Sequence, residues 1–310
     1  MEETIGDSVN DEGEDTSVAS VQSHVAYAGI PRIDYGTTFL KIIDIPPYQR
    51  AGVNYDPAEG HFMMKDLIDG MRAKGQLDGV EIDVDEGEPT PHGAESRDDS
   101  VVTNIAVGIV NRVKAVCAMG KYDAVITQAG IEPGFLAARM VSTLPIAYPV
   151  HAAAHFASAL GEKFCVLTTT DAQAMIVRRN VQSYGLNHKL TSVRYVSRSS
   201  TFTMALVRKY KKLERAKAPE VKEFAGAIVD QFIRAIEDEG VDSVIIGSPH
   251  QQCFLDEVRE GLDIAGYQEI NLIGAFPAAV EMARAMVNLK LSQSPRAYPS
   301  DLLKAKPAFR

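Results

Sequence analysis

Residues Tyr122–Met140 read YDAVITQAGIEPGFLAARM, and residues Val241–Val258 read VDSVIIGSPHQQCFLDEV. In both, an acidic residue and a small one lead into an apolar run: Asp123, Ala124, Val125, Ile126 in the first and Asp242, Ser243, Val244, Ile245 in the second. A loop of small and polar residues follows, and then a helical spacing begins. Each copy continues into a second short strand that turns into an Ala-rich helix. These are Ile146 to Val150 with His151 to Leu160, and Leu272 to Ala275 with Pro277 to Met286. The chain is read as a duplicated α/β unit. Open parallel sheets carry ligands just outside the carboxyl ends of their strands, which singles out two loops, Gln128 to Glu132 and Gly247 to His250.

The same alternation extends outward from the repeat. An apolar run from Thr38 to Ile45 stops at Pro46 and Pro47, because proline donates no ladder hydrogen bond. His61 to Lys74 has amphipathic spacing, with Phe62, Leu67, Ile68 and Met71 on its apolar positions. Val80 to Val84 reads as a strand, Asp85 to Asp99 as a polar loop and Ser100 to Met119 as a helix. In the other half, strands over Phe164 to Leu167 and Thr191 to Val196 alternate with helices over Ala172 to Tyr184 and Glu220 to Glu239. Thr201 to Pro219 reads as a helix and connector over the cleft. Strands alternating with helices predict an α/β fold with mainly parallel sheets covered on both faces. Residues 1–22 are acidic and poor in large apolar groups, which predicts a flexible acidic tail. The expected division is 23–150 plus 274–310 for a first αβα lobe and 151–273 for a second.

Composition excludes several functions. A net charge of -9 disfavours a nucleic-acid surface, which needs clustered positive charge. The one basic cluster, Arg208 to Lys212 with Arg215 and Lys217, reads as a solvated helix face. No apolar run is expected to span a bilayer, and no secretory pattern opens the chain, so a cytoplasmic protein is expected. Cys117, Cys165 and Cys253 have neither metal nor disulfide spacing. Cys117 and Cys165 read as core residues. For Cys253 the alternatives are packing or a thiol acidified in the first turn of a helix.

Pro133, Gly134, Phe135, Leu136, Ala137, Ala138 and Arg139, then Cys165 to Thr169, then Ile245, Ile246 and Gly247, carry a resemblance. From about Phe39 to Tyr298 the chain resembles the hydantoin racemase branch of the aspartate/glutamate racemase superfamily. The resemblance implies two pseudo-symmetric αβα lobes with a substrate cleft between them, a homo-oligomer and no cofactor. It also implies a cysteine at the end of one strand in each lobe, one removing a proton from the substrate carbon and the other returning one. Those positions fall at Gln128 or Ala129 and at Ser248, so both thiols are missing. A serine hydroxyl, near water's pKa of about 15.7, cannot replace a thiol of about 8.5 as base; the gap is worth about 10 kcal/mol. Where the family has an Asn-Pro-Asn turn that holds a substrate carboxylate, this chain has Pro46, Pro47, Tyr48 and Gln49, and the last two are expected to supply side-chain donors.

The expected substrate is a small carboxylate, imide or cyclic amide, transformed next to a carbonyl by isomerase, decarboxylase or lyase chemistry. Ser248, His250 and Glu132 are the catalytic candidates. Histidine exchanges protons near neutrality, Ser248 stands at the second cysteine position, and Glu132 offers a carboxylate from the opposite loop. Thr168, Thr169 and Thr170 follow a strand and precede a helix, which suits either an anion cradle or helix capping. Gln128, Ala129 and His151 complete the substrate-binding candidates. His151 and His155 are spaced i, i+4, but no third ligand is evident, so no metal is expected. Two other readings stay open: hydrolysis of an amide or cyclic imide by Ser248 and His250, and a ligand-binding protein without catalysis.

Overall fold

The computed structural model describes residues 39–47, 57–87 and 99–299. The expected tail, the start of the first strand at Thr38, and Tyr48 and Gln49 lie outside them. The first half runs β1 (Leu40–Ile45), α1 (Pro57–Ala73), β2 (Val80–Val84), α2 (Asp99–Met119), β3 (Ala124–Thr127), α3 (Phe135–Val141), β4 (Ile146–Ala147) and α4 (Pro149–Leu160). The second half opens with β5 (Phe164–Thr168), α5 (Asp171–Ser183), β6 (Leu190–Tyr195), α6 (Ser200–Lys209), α7 (Lys212–Arg215) and α8 (Pro219–Glu239). It ends with β7 (Ser243–Ile246), α9 (Pro249–Gln252), α10 (Leu255–Ile264), β8 (Asn271–Gly274) and α11 (Ala275–Asn288).

Two four-stranded sheets result, ordered β2-β1-β3-β4 and β6-β5-β7-β8. Every pairing is parallel. The duplication in the sequence is thus a duplication of topology, in two lobes within one compact unit. In each sheet one inner strand is completely buried: β3 and β7 have no exposed residue.

The Ala-rich helices explain how the halves are joined. α4 leaves the first sheet and packs on β5, β7 and β8, while α11 leaves the second and packs on β1, β3 and β4. The two helices also pack against each other. Ala152, Ala153, Ala157, Ala279 and Ala283 are all buried there, since small side chains let backbones approach.

Two expectations from composition are corrected. Over Ser100–Met119, α2 is long and apolar enough to cross a membrane by length and composition, with mean hydropathy 1.4. Here its Val101, Ile105, Ile109, Val113 and Val116 pack with Ile43, Ile45 and Val125 in one core, and its Arg112 pairs with Asp85 at 2.7 Å. Arg215 does not belong to a solvated basic face. It is 1% exposed and grips both carboxylate oxygens of Asp66 on α1 at 2.7 Å. It also donates to the carbonyls of Val207, Tyr210 and Cys253, so α7 of the second half is tied to α1 of the first.

Candidate active site

The loops after β3 and β7 touch. A Cβ built on Gly130 would lie 2.4 Å from the carbonyl oxygen of Gly247 and 3.4 Å from the nitrogen of Ser248. Only a residue without a side chain fits, so the two singled-out segments are brought together by backbone contact.

The first loop is held in part from the opposite half. Ile131 gives its carbonyl to Asn180 of α5 at 2.9 Å. Glu132, in the left-handed region at φ 52, accepts the backbone N–H of His151 at 2.7 Å and the hydroxyl of Tyr184. Burial pushes its carboxyl up to about 7, against those hydrogen bonds. Such a group exchanges its proton near neutrality. Gly134, at φ 72, turns the chain so that α3 starts at Phe135, two residues past Pro133. Phe135, Tyr184 and His151 then pack ring on ring. His151 is driven down to about 3 by burial first, then by His155 and Arg139. It is therefore a neutral imidazole. His155 stacks on it at 4.4 Å. Among the described residues no group of three or more His, Cys, Asp or Glu is arranged to hold a metal.

Gln128 points back to β1, where its amide donates to Asp44 at 2.9 Å. Asp44 is fully buried, its other oxygen has no hydrogen-bond partner among the described residues, and burial holds its carboxyl well above the usual range. Sequence reading missed this residue because it sits inside an apolar strand; a lone acid in the run LKIIDI was the available signal.

In the second loop Ser248 is the N-cap of α9 without a side-chain cap bond, and Pro249 opens the helix. The ring of His250 lies with Nδ1 2.8 Å from the thioether of Met63 on α1. Gln251 donates to the carbonyl of Thr168 at 3.1 Å. Gln252 donates to that of Gly247 at 3.4 Å and accepts the N–H of Phe276 at 2.8 Å. The loop is thereby fastened to β5 and α11.

At the end of β5 the three threonines gather on Gln173. Thr168 donates its hydroxyl to Oε1 at 2.9 Å, the backbone of Thr169 donates to the same oxygen at 3.4 Å, and Thr170 caps α5 by accepting the N–H of Gln173 at 3.3 Å. Capping is thus present at Thr170, beside a polar turn formed by the other two. Ala129 is buried at the strand end.

A model of the Asp/Glu/hydantoin racemase family matches residues 57–283. The chain belongs to that family. The fold of this racemase-family chain is similar to allantoin racemase from Klebsiella pneumoniae, at 20% identity and a TM-score of 0.64 over 87% of this chain and 96% of that one. It is also similar to allantoin racemase from Pseudomonas fluorescens, at 21% identity and 0.61 over 87% and 100%. Maleate isomerase from Pseudomonas putida S16 shares the fold at 11% identity and 0.52, over 82% and 93%. No curated protein matches the sequence significantly.

Neither strand-end loop contains a cysteine. Cys165 lies inside β5, and burial pushes its thiol up to about 12. Cys253 is not in the first turn of a helix: it follows the single turn of α9 and is 4% exposed. Burial pushes its thiol up to about 12 as well, so desolvation reverses the acidification expected from a helix end. Cys117 sits on α2 with its sulfur 3.5 Å from the hydroxyl of Ser142.

Proposed function

We propose that this chain is a cofactor-independent enzyme acting next to a carbonyl of a small carboxylate, imide or cyclic amide held at the two strand-end loops. The observation that carries the reading is the meeting of equivalent loops at Gly130 and Gly247, the first of them tied to α5 of the other half through Asn180. A small molecule placed there has groups of one repeat on each side, as proton removal and return at one carbon require.

The proton carriers in this reading are oxygen and nitrogen acids. His250 acts as base and Ser248 donates a hydrogen bond to the carbonyl oxygen that gains charge as the enolate forms. Glu132, with its pKa near 7, exchanges a proton from the first loop through Tyr184. Thr168 and Thr169, with Gln128, Ala129 and His151, bind the substrate's polar edge, while Thr170 caps α5 beside them. Protonation of the enolate from either side gives isomerisation, and an enolate formed by loss of carbon dioxide gives decarboxylation. Hydrolysis by Ser248 and His250 finds no support in the family or in the folds it resembles.

The test is turnover on enantiopure hydantoins, allantoin, aspartate and glutamate, followed by chiral chromatography. His250→Gln is expected to lower the rate at least about 100-fold, the usual contribution of a positioned acid–base group, with binding retained. Binding without turnover across the panel would leave a ligand-binding protein instead.

A further inference from the structure

A second concavity, with a volume of about 710 Å³, opens between α1, α10, α11 and β8. Its apolar wall comes from Leu67 and Met71 on α1, Leu255 on α10, Leu272 on β8, and Pro277 and Ala278 on α11. Sites for small molecules are typically clefts of about 300–1,000 Å³, mostly apolar, with a few placed polar groups. The α1 residues here belong to the turns that lead into β2, at the opposite end of the first sheet from the loops described above.

The charges around this cavity are matched except for one. Lys74 pairs with Asp256, Arg284 with Glu281 at 3.4 Å, and Arg259 with Asp263 at 2.8 Å. Lys212 has no ion-pair partner among the described residues. Of the acids that share its surroundings, Asp66 is already held by Arg215, and burial raises the pKa of Glu257. The ammonium of Lys212 rests against the bare backbone of Gly70, occupying the space a side chain there would need: a Cβ on Gly70 would be 1.8 Å from Nζ. On the same lining, the Nε of Arg259 is buried with no hydrogen-bond partner among the described residues. An apolar chamber thus carries one unmatched cation and one orphaned donor.

We propose that this cavity binds a small amphipathic anion, a medium-chain carboxylate with its apolar body against Leu67, Met71 and Leu272 and its carboxylate on Lys212. The site is separate from the cleft but joined to it by Gln252, which lines the cavity and holds the carbonyl of Gly247.

Calorimetric titration of the full chain with decanoate, and with decanol as its neutral counterpart, tests the assignment. Saturable one-to-one binding of decanoate is expected. Lys212→Gln should weaken decanoate about tenfold or more, the scale of a lost charged hydrogen bond, and leave decanol unchanged, while Lys212→Arg keeps the affinity. Ala285→Phe, at an exposed position on the lining, should weaken both ligands without moving the urea midpoint. Absence of saturable decanoate binding to the wild type, or equal decanoate affinity in Lys212→Gln, overturns the proposal.

Discussion

Gly130 stands so near Gly247 that a Cβ on the first would sit 2.4 Å from the carbonyl oxygen of the second. This contact joins the two repeats at the place where the proposed chemistry lies. Its consequence can be read in stability: Gly130→Ala should cost about 1–3 kcal/mol, the usual effect of overpacking. Gly226 in α8 provides the control, since nothing lies within 4 Å of a Cβ there and an added methyl should gain up to about 1 kcal/mol. Urea midpoints for both variants check the pair, and equal stability would remove steric closeness as the reason for glycine at 130.

Glu132 predicts a pH dependence. Its carboxyl has a pKa near 7 when folded against 4.5 ordinarily, so the folded state binds the extra proton and stability is lost as pH rises from about 4.5 through 7. The full effect is roughly 3 kcal/mol. Glu132→Gln, an isostere of the protonated acid, should remove this loss, so its stability relative to wild type should climb across that window. His151 works in the opposite sense: with a folded pKa near 3 it costs stability as pH falls below 6.5, and it should do so in both proteins. Parallel curves for wild type and Glu132→Gln would rule out a raised carboxyl.

The Arg215–Asp66 pair should be expensive to break from one side. Removing one partner of a buried ion pair typically costs about 3–5 kcal/mol, and Arg215→Ala would also strand three carbonyls. Arg215→Met with Asp66→Leu should recover part of that loss. Denaturation of the two single variants and the double variant measures the coupling, and additive losses would show that the bridge is not a unit.

At the threonine turn, capping and binding separate. Thr170→Ala removes an N-cap and should cost about 1 kcal/mol of stability with little effect on ligand affinity. Thr169→Val should do the reverse, weakening carboxylate binding about tenfold or more. Equal affinities in both variants would move the anion's position elsewhere.

Much of this fold is legible along the chain because it repeats and because its strands are buried runs. Val80 to Val84 is read and found with the same bounds. Where reading slips, a backbone device is responsible. The strand expected to reach Val150 ends at Ala147, because Pro149 opens α4 at its first turn. The helical spacing after the first loop waits for the left-handed turn at Glu132 and Gly134 before α3 starts at Phe135. The side-chain partnerships were not legible. Gln128 and Asp44 are 84 residues apart, Tyr184 and Glu132 are 52 apart, and Arg215 and Asp66 are 149 apart. No periodicity records contacts of that kind. The same holds for the thiols of Cys165 and Cys253, whose pKa follows from burial rather than from position along the chain.

The central claim, proton transfer at a carbon beside a carbonyl without a thiol in either loop, is met most directly by proton NMR in deuterated water. Recovered substrate from the panel above should gain deuterium at that carbon, whatever the stereochemical outcome, and Cys253→Ala should incorporate it at the wild-type rate. No incorporation into any compound that binds, or its loss in a folded Cys253→Ala variant, would contradict the account.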